Sequence, residues 1–229
     1  AEIGDRIGAS LRPRCLVLPA FLPPAAEEID KTKLPGEVRR FVEEEGSILV
    51  LTAFRIIPWR KGGDVYGIAL ALEALAELRA REHAKVRLLV YVAEPPKTRG
   101  QRELYEGIQG QVRRLRLEGH VMFRFRESAL PILDFPVVLV RPTRTDGDAV
   151  SIREALSVGV PVVASDVVHR PPGCTVFSDG EAPSLAEAIS ACNGRPGAQP
   201  AMSLSGQALL DLYREALRPT PRSYGRQMP

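Results

Sequence analysis

Short apolar segments alternate along this chain with segments of helical periodicity, and this alternation constrains the fold more than any other feature. The apolar segments are rich in Val, Ile and Leu, and most lack the apolar-polar alternation of a half-exposed strand. Strands with this continuous apolar character are typical of a parallel sheet that is covered on both faces. We predict strands at Cys15–Leu18, Ile48–Ala53, Val86–Val92, His120–Phe123, Val137–Arg141, Val160–Ala164 and Thr175–Phe177.

The intervening segments have the spacing of helices that pack one face on a sheet. In the clearest of them, Ile68, Leu72, Leu75 and Leu78 form one apolar stripe, and Asp64 can cap the start. The predicted helices are Asp64–Arg81, Gln101–Leu117, Ala149–Val158, Ser184–Ala191 and Gly206–Leu217. Strands and helices in this order predict βαβ units, and therefore an α/β fold with a Rossmann-like parallel sheet and helices on both faces.

The charge balance and the cysteines limit the function classes. Lys and Arg number 31 against 28 Asp and Glu, and the net charge of +3 is scattered, which argues against nucleic acid as a partner. Cys15, Cys174 and Cys192 have neither metal-ligand nor CxxC spacing, which is typical of reduced thiols in a cytoplasmic protein. No segment has the length and apolar character of a membrane span or a signal peptide, so we expect peripheral membrane contact at most.

The most informative segment, from Val137 to Asp166, reads VVLVRPTRTDGDAVSIREALSVGVPVVASD. It predicts a buried strand, a polar turn containing Gly147, a short helix, a Gly-Val-Pro turn and a second buried strand. Such a strand-to-helix turn places backbone N–H groups and a helix N-terminus at the carboxyl edge of a parallel sheet, where anionic ligands bind. We therefore expect a phosphate group to bind at this turn.

This segment resembles the donor-binding domain of family 4 of the retaining glycosyltransferases, also called group 1, whose members have the two-domain GT-B fold. The family pattern has a Pro-Ser-like element, then Glu-Gly-Phe-Gly, a second Glu eight residues after the first, and Ala-x-x-x-Gly-x-Pro-Val-Val-Ala-Ser. The matching residues are Pro142, Asp146, Gly147, Glu154, Ala155, Gly159, Pro161, Val162, Val163, Ala164 and Ser165. Asp146 replaces the usual Glu, Asp148 the Phe, and Ala149 the second Gly.

The resemblance implies a role for each residue around this turn. Glu154 would accept hydrogen bonds from the ribose hydroxyls of a nucleotide sugar, and Asp146, which would be catalytic, would contact hydroxyls of the donor sugar. Gly147 and Asp148 would lie beside the donor, whose diphosphate would face the N–H groups of Ala149, Val150 and Ser151 at the helix start. The alternative interpretation is an ordinary strand, turn and helix of an α/β protein without a ligand.

A second segment, Ile48–Leu78, resembles the family's strand, Arg-x-x-Pro-x-Lys-Gly loop and helix. The matching residues are Arg55, Pro58, Lys61, Gly62 and Asp64, with one extra residue between Pro58 and Lys61. By this resemblance, Arg55 and Lys61 are catalytic, because they would neutralise the diphosphate and stabilise the departing nucleoside diphosphate. Arg60 can replace either cation, and a solvated basic loop is the alternative.

The resemblance covers about residues 14–217 and implies the organisation of the chain. Residues 1–24 would be an interdomain linker, residues 25–217 the nucleotide-sugar-binding domain, and residues 218–229 a flexible tail. The acceptor, whether a glycan, a lipid or a small molecule, would bind an N-terminal domain that this sequence, which begins at Ala1, does not contain. The implied activity is sugar transfer with retention of configuration, without a metal and without a cofactor.

Three other interpretations compete with this one. The triplet Asp146-Gly147-Asp148 also fits the DxD element that binds a metal in GT-A glycosyltransferases, which are unrelated. A non-catalytic subunit that keeps the fold for nucleotide-sugar binding or partner contact is the main alternative from another class. A GT-B-like sugar-nucleotide epimerase is the third, and the three scattered histidines, His83, His120 and His169, give it little support.

Overall fold

A computed structural model describes residues 21–82, 85–178, 180–192 and 205–217 of the chain. The chain divides into two compact units. The larger unit, Pro23–Met202, contains a β-sheet and most of the helices. The described part of the smaller unit contains one helix, Ser205–Ala216. The predicted strand Cys15–Leu18 and the predicted tail lie outside the described residues.

The sheet of the larger unit has six parallel strands in the order β3-β2-β1-β4-β5-β6 within the described residues. The strands are β1 (Ser47–Ala53), β2 (Val86–Val92), β3 (Val121–Phe125), β4 (Val137–Arg141), β5 (Val162–Ser165) and β6 (Cys174–Phe177). The α/β parallel sheet predicted from the apolar segments is therefore confirmed. Its inner strands are buried on both faces, since all seven residues of β2 and all four of β5 are buried.

Helices cover both faces of the sheet, as predicted. They are α1 (Gly36–Glu43), α2 (Ile68–Glu82), α3 (Arg99–Arg114), α4 (Val150–Ser157) and α5 (Ala182–Cys192), with α6 (Ser205–Ala216) in the smaller unit. Each face of the sheet has its own hydrophobic core. Buried side chains of α2, α3 and α5 pack on one face, and those of α1 and α4 pack on the other together with a 3₁₀ turn at Leu130–Asp134.

Among the boundaries that differ from the prediction, the starts of α2 and β5 are explained by the local backbone. Helix α2 begins at Ile68, four residues after the predicted start, because Gly67 adopts a φ of +72° that no right-handed helix contains. Strand β5 begins at Val162, because the Val160 N–H bonds the Ala155 carbonyl at the end of α4, and Pro161 has no N–H to donate to a neighbouring strand.

The helix α1 was not predicted at all. Its eight residues follow Pro35 and include only three buried side chains, Val38, Phe41 and Val42, so its apolar pattern is too short to be recognised in the sequence. These three side chains pack on the sheet with Ile48 and Leu89, and this packing stabilises the helix. None of the described helices is both long and apolar enough to cross a membrane.

Candidate functional site

The strand order places a crevice at the carboxyl ends of β1 and β4. These two strands are hydrogen-bonded neighbours at the centre of the sheet, where the order of the strands reverses. The chain after β1 leads to α2 on one face, and the chain after β4 leads to α4 on the other face. In open parallel sheets, ligands bind at this switch point. The two segments singled out in the sequence flank it.

The loops after β1 and β4 are in direct contact. Gly67, at the end of the first loop, lies so close to the Pro142 carbonyl that a Cβ atom on Gly67 would be 1.9 Å from the oxygen. The Arg144 N–H donates to the Val65 carbonyl at 2.8 Å. In the same loop, the buried Asp64 carboxylate accepts from the N–H groups of Ile68 and Ala69, each at 2.9 Å, and so caps α2.

The basic part of the first loop forms a tight turn. The Trp59 N–H donates to the Gly63 carbonyl, and the Gly62 N–H donates to the Trp59 carbonyl, both at 3.0 Å. Arg60 and Lys61, at its tip, are exposed and make no hydrogen bond or ion pair with any residue that the structure describes. Both cations are therefore available to an anion.

Arg55, by contrast, has a carboxylate partner. Its Nε donates to Glu94 Oε2 at 2.8 Å, and its guanidinium lies 4.7 Å from the centre of the Phe54 ring. Lys97 Nζ lies 2.7 Å from the same Glu94 oxygen. The hydrogen bond from Arg55, followed by that from Lys97, lowers the pKa of Glu94 to about 2, so this carboxylate is ionised at neutral pH.

Asp146 lies at the centre of a buried ion-pair network that we call the Asp146 cluster: Asp146, Arg141, Arg170, Thr143 and Ser165. Arg141 donates to the two carboxylate oxygens from Nε and Nη2, at 3.1 and 3.0 Å. Arg170 Nη1 donates to Oδ2 at 2.7 Å. The hydroxyl of Thr143 is 3.2 Å from the same oxygen.

The charge state of Asp146 follows from this network. Burial raises its pKa, but the hydrogen bonds and charges of Arg141 and Arg170 outweigh burial, so the pKa lies below its ordinary value. With the Gly147 N–H, which donates to Oδ1 at 3.1 Å, the carboxylate accepts five hydrogen bonds from residues that the structure describes. A new donor must therefore replace one of these bonds.

The start of α4 has no side-chain cap. Its N-cap residue is Ala149, which cannot accept a hydrogen bond through its side chain, and the helix begins at the exposed Val150. The first N–H groups of a helix have no partner within the helix. The neighbouring Asp148 does not cap it, because its carboxylate accepts a hydrogen bond from Arg153 Nε at 2.7 Å. These N–H groups, Ser151 included, can donate hydrogen bonds to an anion.

Glu154 lines a narrow crevice between α4, β1, β4 and the 3₁₀ turn. The lining residues are Val50, Thr52, Ala129, Leu130, Leu133, Leu139, Ser151 and Glu154. The half-buried carboxylate of Glu154 has no hydrogen-bond or ion-pair partner among the described residues. Burial, and then the charge of Glu28, raises its pKa above the ordinary value. An unpaired carboxylate in such a crevice is suited to accept hydrogen bonds from a ligand.

A scan against protein-family models matches residues 59–193 to the glycosyl transferases group 1 family. The chain belongs to this glycosyltransferase family. No curated protein matches this glycosyltransferase chain in a sequence search. The family suggested by the two sequence segments is therefore confirmed by an independent comparison.

Solved structures support the fold of this glycosyltransferase chain. A glycosyltransferase from Rickettsia africae superposes with a TM-score of 0.64 at 14% identity, over 86% of this chain and 56% of that one. HepE (Alr3699) from Anabaena, in complex with UDP and glucose, superposes with a TM-score of 0.60 at 19% identity, over 85% of this chain and 53% of HepE. Sucrose-phosphate synthase from Thermosynechococcus elongatus superposes with a TM-score of 0.56 at 20% identity, over 88% of this chain and 51% of the synthase. The chain spans about half the length of these structures.

The structure of the glycosyltransferase chain brings only some of the predicted site residues together. Asp146 and Gly147 are hydrogen-bonded, and Ala149, Val150 and Ser151 follow them at the start of α4. Within the described residues, Arg55, Lys61 and Glu154 share no hydrogen bond or ion pair with one another or with Asp146. They lie on the loop after β1, on the loop after β4 and on α4, which flank the switch point.

Several residues of the site were not identified from the sequence. Arg141, Arg170 and Glu94 hold the predicted residues, and Gly67 allows the contact between the two loops. The hydroxyl of Thr52 is buried in the Glu154 crevice without a hydrogen-bond partner in the described structure. Only Gly67 had a sequence signal, since a glycine directly before an apolar helix indicates a special backbone conformation.

Proposed function

We propose that this chain is the donor-binding part of a glycosyltransferase that transfers a sugar from a nucleotide sugar with retention of configuration and without a metal. The observation that carries the proposal is the unpaired, half-buried Glu154 carboxylate in a crevice at the switch point of the sheet. The Anabaena structure was solved with UDP and with UDP-glucose, and a bound nucleotide sugar has hydroxyls that suit such a carboxylate.

In the proposed complex, Glu154 accepts hydrogen bonds from the ribose, and the orphan hydroxyl of Thr52 offers a further polar contact. The diphosphate lies against the backbone of Gly147 and Asp148 and the N–H groups of Ala149, Val150 and Ser151. Lys61 reaches it from the tip of the basic turn. Arg55 contributes once it exchanges Glu94 for the phosphate, and these cations stabilise the leaving nucleoside diphosphate.

Asp146 reaches the donor sugar in this proposal by exchanging one of its present hydrogen bonds. The bond from the Thr143 hydroxyl is the longest of the five, at 3.2 Å, and is the one that a sugar hydroxyl replaces most easily. The two carboxylates of the Asp-Gly-Asp triplet are bound by guanidinium groups, Asp146 by Arg141 and Arg170, and Asp148 by Arg153. This arrangement supports phosphate neutralisation by cationic side chains and backbone N–H groups rather than by a metal.

The acceptor and the remaining catalytic groups belong to an N-terminal domain in this proposal, since the chain spans about half the length of its structural relatives. We propose no cofactor and a cytoplasmic location, which the free thiols of Cys174 and Cys192 support. A non-catalytic subunit is the second candidate, because the saturated Asp146 carboxylate is also what a purely structural residue would show.

The test is a calorimetric and thermal-shift panel of UDP, GDP, ADP and their sugars on the whole chain. We expect at least one nucleoside diphosphate to bind. Glu154→Gln should lower the affinity for this nucleotide about tenfold or more, because a charged hydrogen-bond acceptor is lost. The exposed Glu187 on α5 supplies the control variant, Glu187→Gln. A flat panel on folded protein would refute the proposal and would favour a subunit that keeps the fold for partner contact.

A further inference from the structure

The Asp146 cluster carries more positive than negative charge. Among its described side chains, two guanidinium groups share the single carboxylate of Asp146, so the formal charge of the cluster is +1. All three charged side chains are largely removed from water, since the exposed fractions are 7% for Asp146, 12% for Arg141 and 3% for Arg170. Water and salt therefore screen this charge less than they would at the surface.

Arg170 is the residue that makes the cluster positive. It comes from the loop between β5 and β6, 24 residues from Asp146, and each nitrogen of its guanidinium is bonded within the cluster. Nε donates to the Ser165 carbonyl at 2.8 Å, Nη1 donates to Asp146, and Nη2 donates to the hydroxyls of Ser165 and Thr143. Because the side chain is buried and held on all sides, it is not placed to touch a ligand itself.

The position of this charge matters for an anionic ligand. Asp146 accepts from the Gly147 N–H, so its carboxylate adjoins the segment that leads into the uncapped start of α4. A lone carboxylate there would repel a diphosphate. Arg141 alone would cancel the charge of Asp146, and Arg170 adds a full positive charge at the same place.

We propose that Arg170 is a positioning residue that acts through Asp146: it makes the cluster net positive and so draws the diphosphate of the nucleotide to the N–H groups at the start of α4. This inference rests on the proposed function, because it assumes that a nucleoside diphosphate is the ligand. It assigns a role to a side chain outside the two segments that resemble the family.

The test uses the whole chain and the nucleoside diphosphate that the wild type binds best. Arg170→Met removes the charge and Arg170→Lys keeps it, although Lys cannot reproduce the five-donor fork of Arg. We expect Arg170→Met to weaken binding about fivefold or more at about 50 mM salt, and much of this loss should persist at about 500 mM salt because the charge is buried. Arg170→Lys should lose clearly less affinity than Arg170→Met, because it keeps the charge. The loss in Arg170→Met should be larger for the diphosphate than for the corresponding monophosphate.

The exposed Arg114 at the C-terminal end of α3 supplies a matched control, since Arg114→Met removes the same charge at the edge of the sheet opposite to the cluster and should leave binding unchanged. If Arg170→Met does not fold, Arg170→Gln keeps hydrogen-bonding capacity without the charge and takes its place. Unchanged affinity in the uncharged variants, or equal losses in the Lys and Met variants, would overturn the inference while leaving the proposed function intact. Failure of the wild type to bind any nucleoside diphosphate would overturn both.

Discussion

The carbonyl oxygen of Pro142 lies 1.9 Å from the position that a Cβ atom on Gly67 would occupy. The loops after β1 and β4 therefore approach each other more closely than any side chain would allow. The hydrogen bond from Arg144 N–H to the Val65 carbonyl joins them at the same place. The two sides of the proposed donor site are thus held together by backbone contacts, and a glycine is required at their junction.

Gly67→Ala should therefore be strongly destabilising. The residue has a φ of +72°, and Gly63, with a φ of +76° and open space around it, supplies a control at nearly the same backbone conformation. We expect Gly63→Ala to lower the free energy of unfolding by about 1 kcal/mol, and Gly67→Ala by about 3 kcal/mol or more, because the added methyl meets the Pro142 backbone. Urea unfolding measures both, and equal losses would show that the close approach is unimportant.

The strands were predictable because their burial is nearly complete. Val86–Val92 and Val137–Arg141 coincide with the predicted ranges, since every residue of the first and all but the last of the second is buried and apolar residues dominate both. Helix boundaries were less predictable, because caps and glycines determine them. Helix α3 begins at Arg99, two residues before the predicted start, because Thr98 and Gln101 form a capping box.

The loops of the site were predictable, but the contacts within them were not. Asp146 was identified from the family pattern, whereas its partner Arg170 is 24 residues away and depends on how β5 and β6 pair. Arg55 was predicted to neutralise the diphosphate, and nothing in the sequence indicated that Glu94, 39 residues later, holds it. Such long-range ion pairs have no local signature, because the sheet order determines which loops meet.

Asp146→Asn should destabilise the chain more than Arg170→Met does. Without the carboxylate, two buried guanidinium groups have no counter-charge, whereas loss of Arg170 leaves the balanced Arg141–Asp146 pair. We expect a loss of about 3–5 kcal/mol in the free energy of unfolding for Asp146→Asn, measured by urea denaturation at pH 7. A smaller loss than in Arg170→Met would contradict the charge assignment of the cluster.

The Asp146 carboxylate should also affect how the stability of the chain depends on pH in acid. Because the pKa of Asp146 is lower in the folded chain than its ordinary value of 3.8, the ionised form stabilises the fold above that pH. This stabilisation is lost as the pH falls through the folded pKa, below 3.8. Asp146→Asn should lack this part of the acid-induced loss of stability, and parallel unfolding curves at several pH values would reveal it.

Glu94→Gln should raise the affinity for a nucleoside diphosphate. In the wild type, the ionised Glu94 competes with the phosphate for Arg55, and the neutral amide of Gln competes less. We expect binding to tighten about two- to fivefold, with little change in melting temperature because the pair is only partly buried. The exposed Glu103, which pairs with Arg99, supplies the control variant Glu103→Gln. Weaker binding in Glu94→Gln would mean that Glu94 orients Arg55 for the ligand instead of competing with it.

As the pH rises, Glu154 should strengthen nucleotide binding while its contribution to stability falls. Its pKa is raised above the ordinary 4.5 by burial and by Glu28, so the folded chain binds this proton more tightly than the unfolded chain does. The contribution of Glu154 to stability therefore falls as the pH rises from 4.5 to the folded pKa. Nucleotide binding needs the ionised acceptor, so affinity should rise over the same interval.

Glu154→Gln separates these two effects. The variant should melt at a higher temperature than wild type at pH 7, because it removes an unpaired half-buried charge, and this difference should disappear below pH 4.5. Its nucleotide affinity should be low and should lack the part of the pH dependence that Glu154 contributes in the wild type. Melting curves and calorimetric titrations at about pH 4 to 8 measure both quantities. A variant that is less stable at pH 7 yet binds as tightly as wild type would show that Glu154 is a packing residue, and the proposed ribose contact would then be wrong.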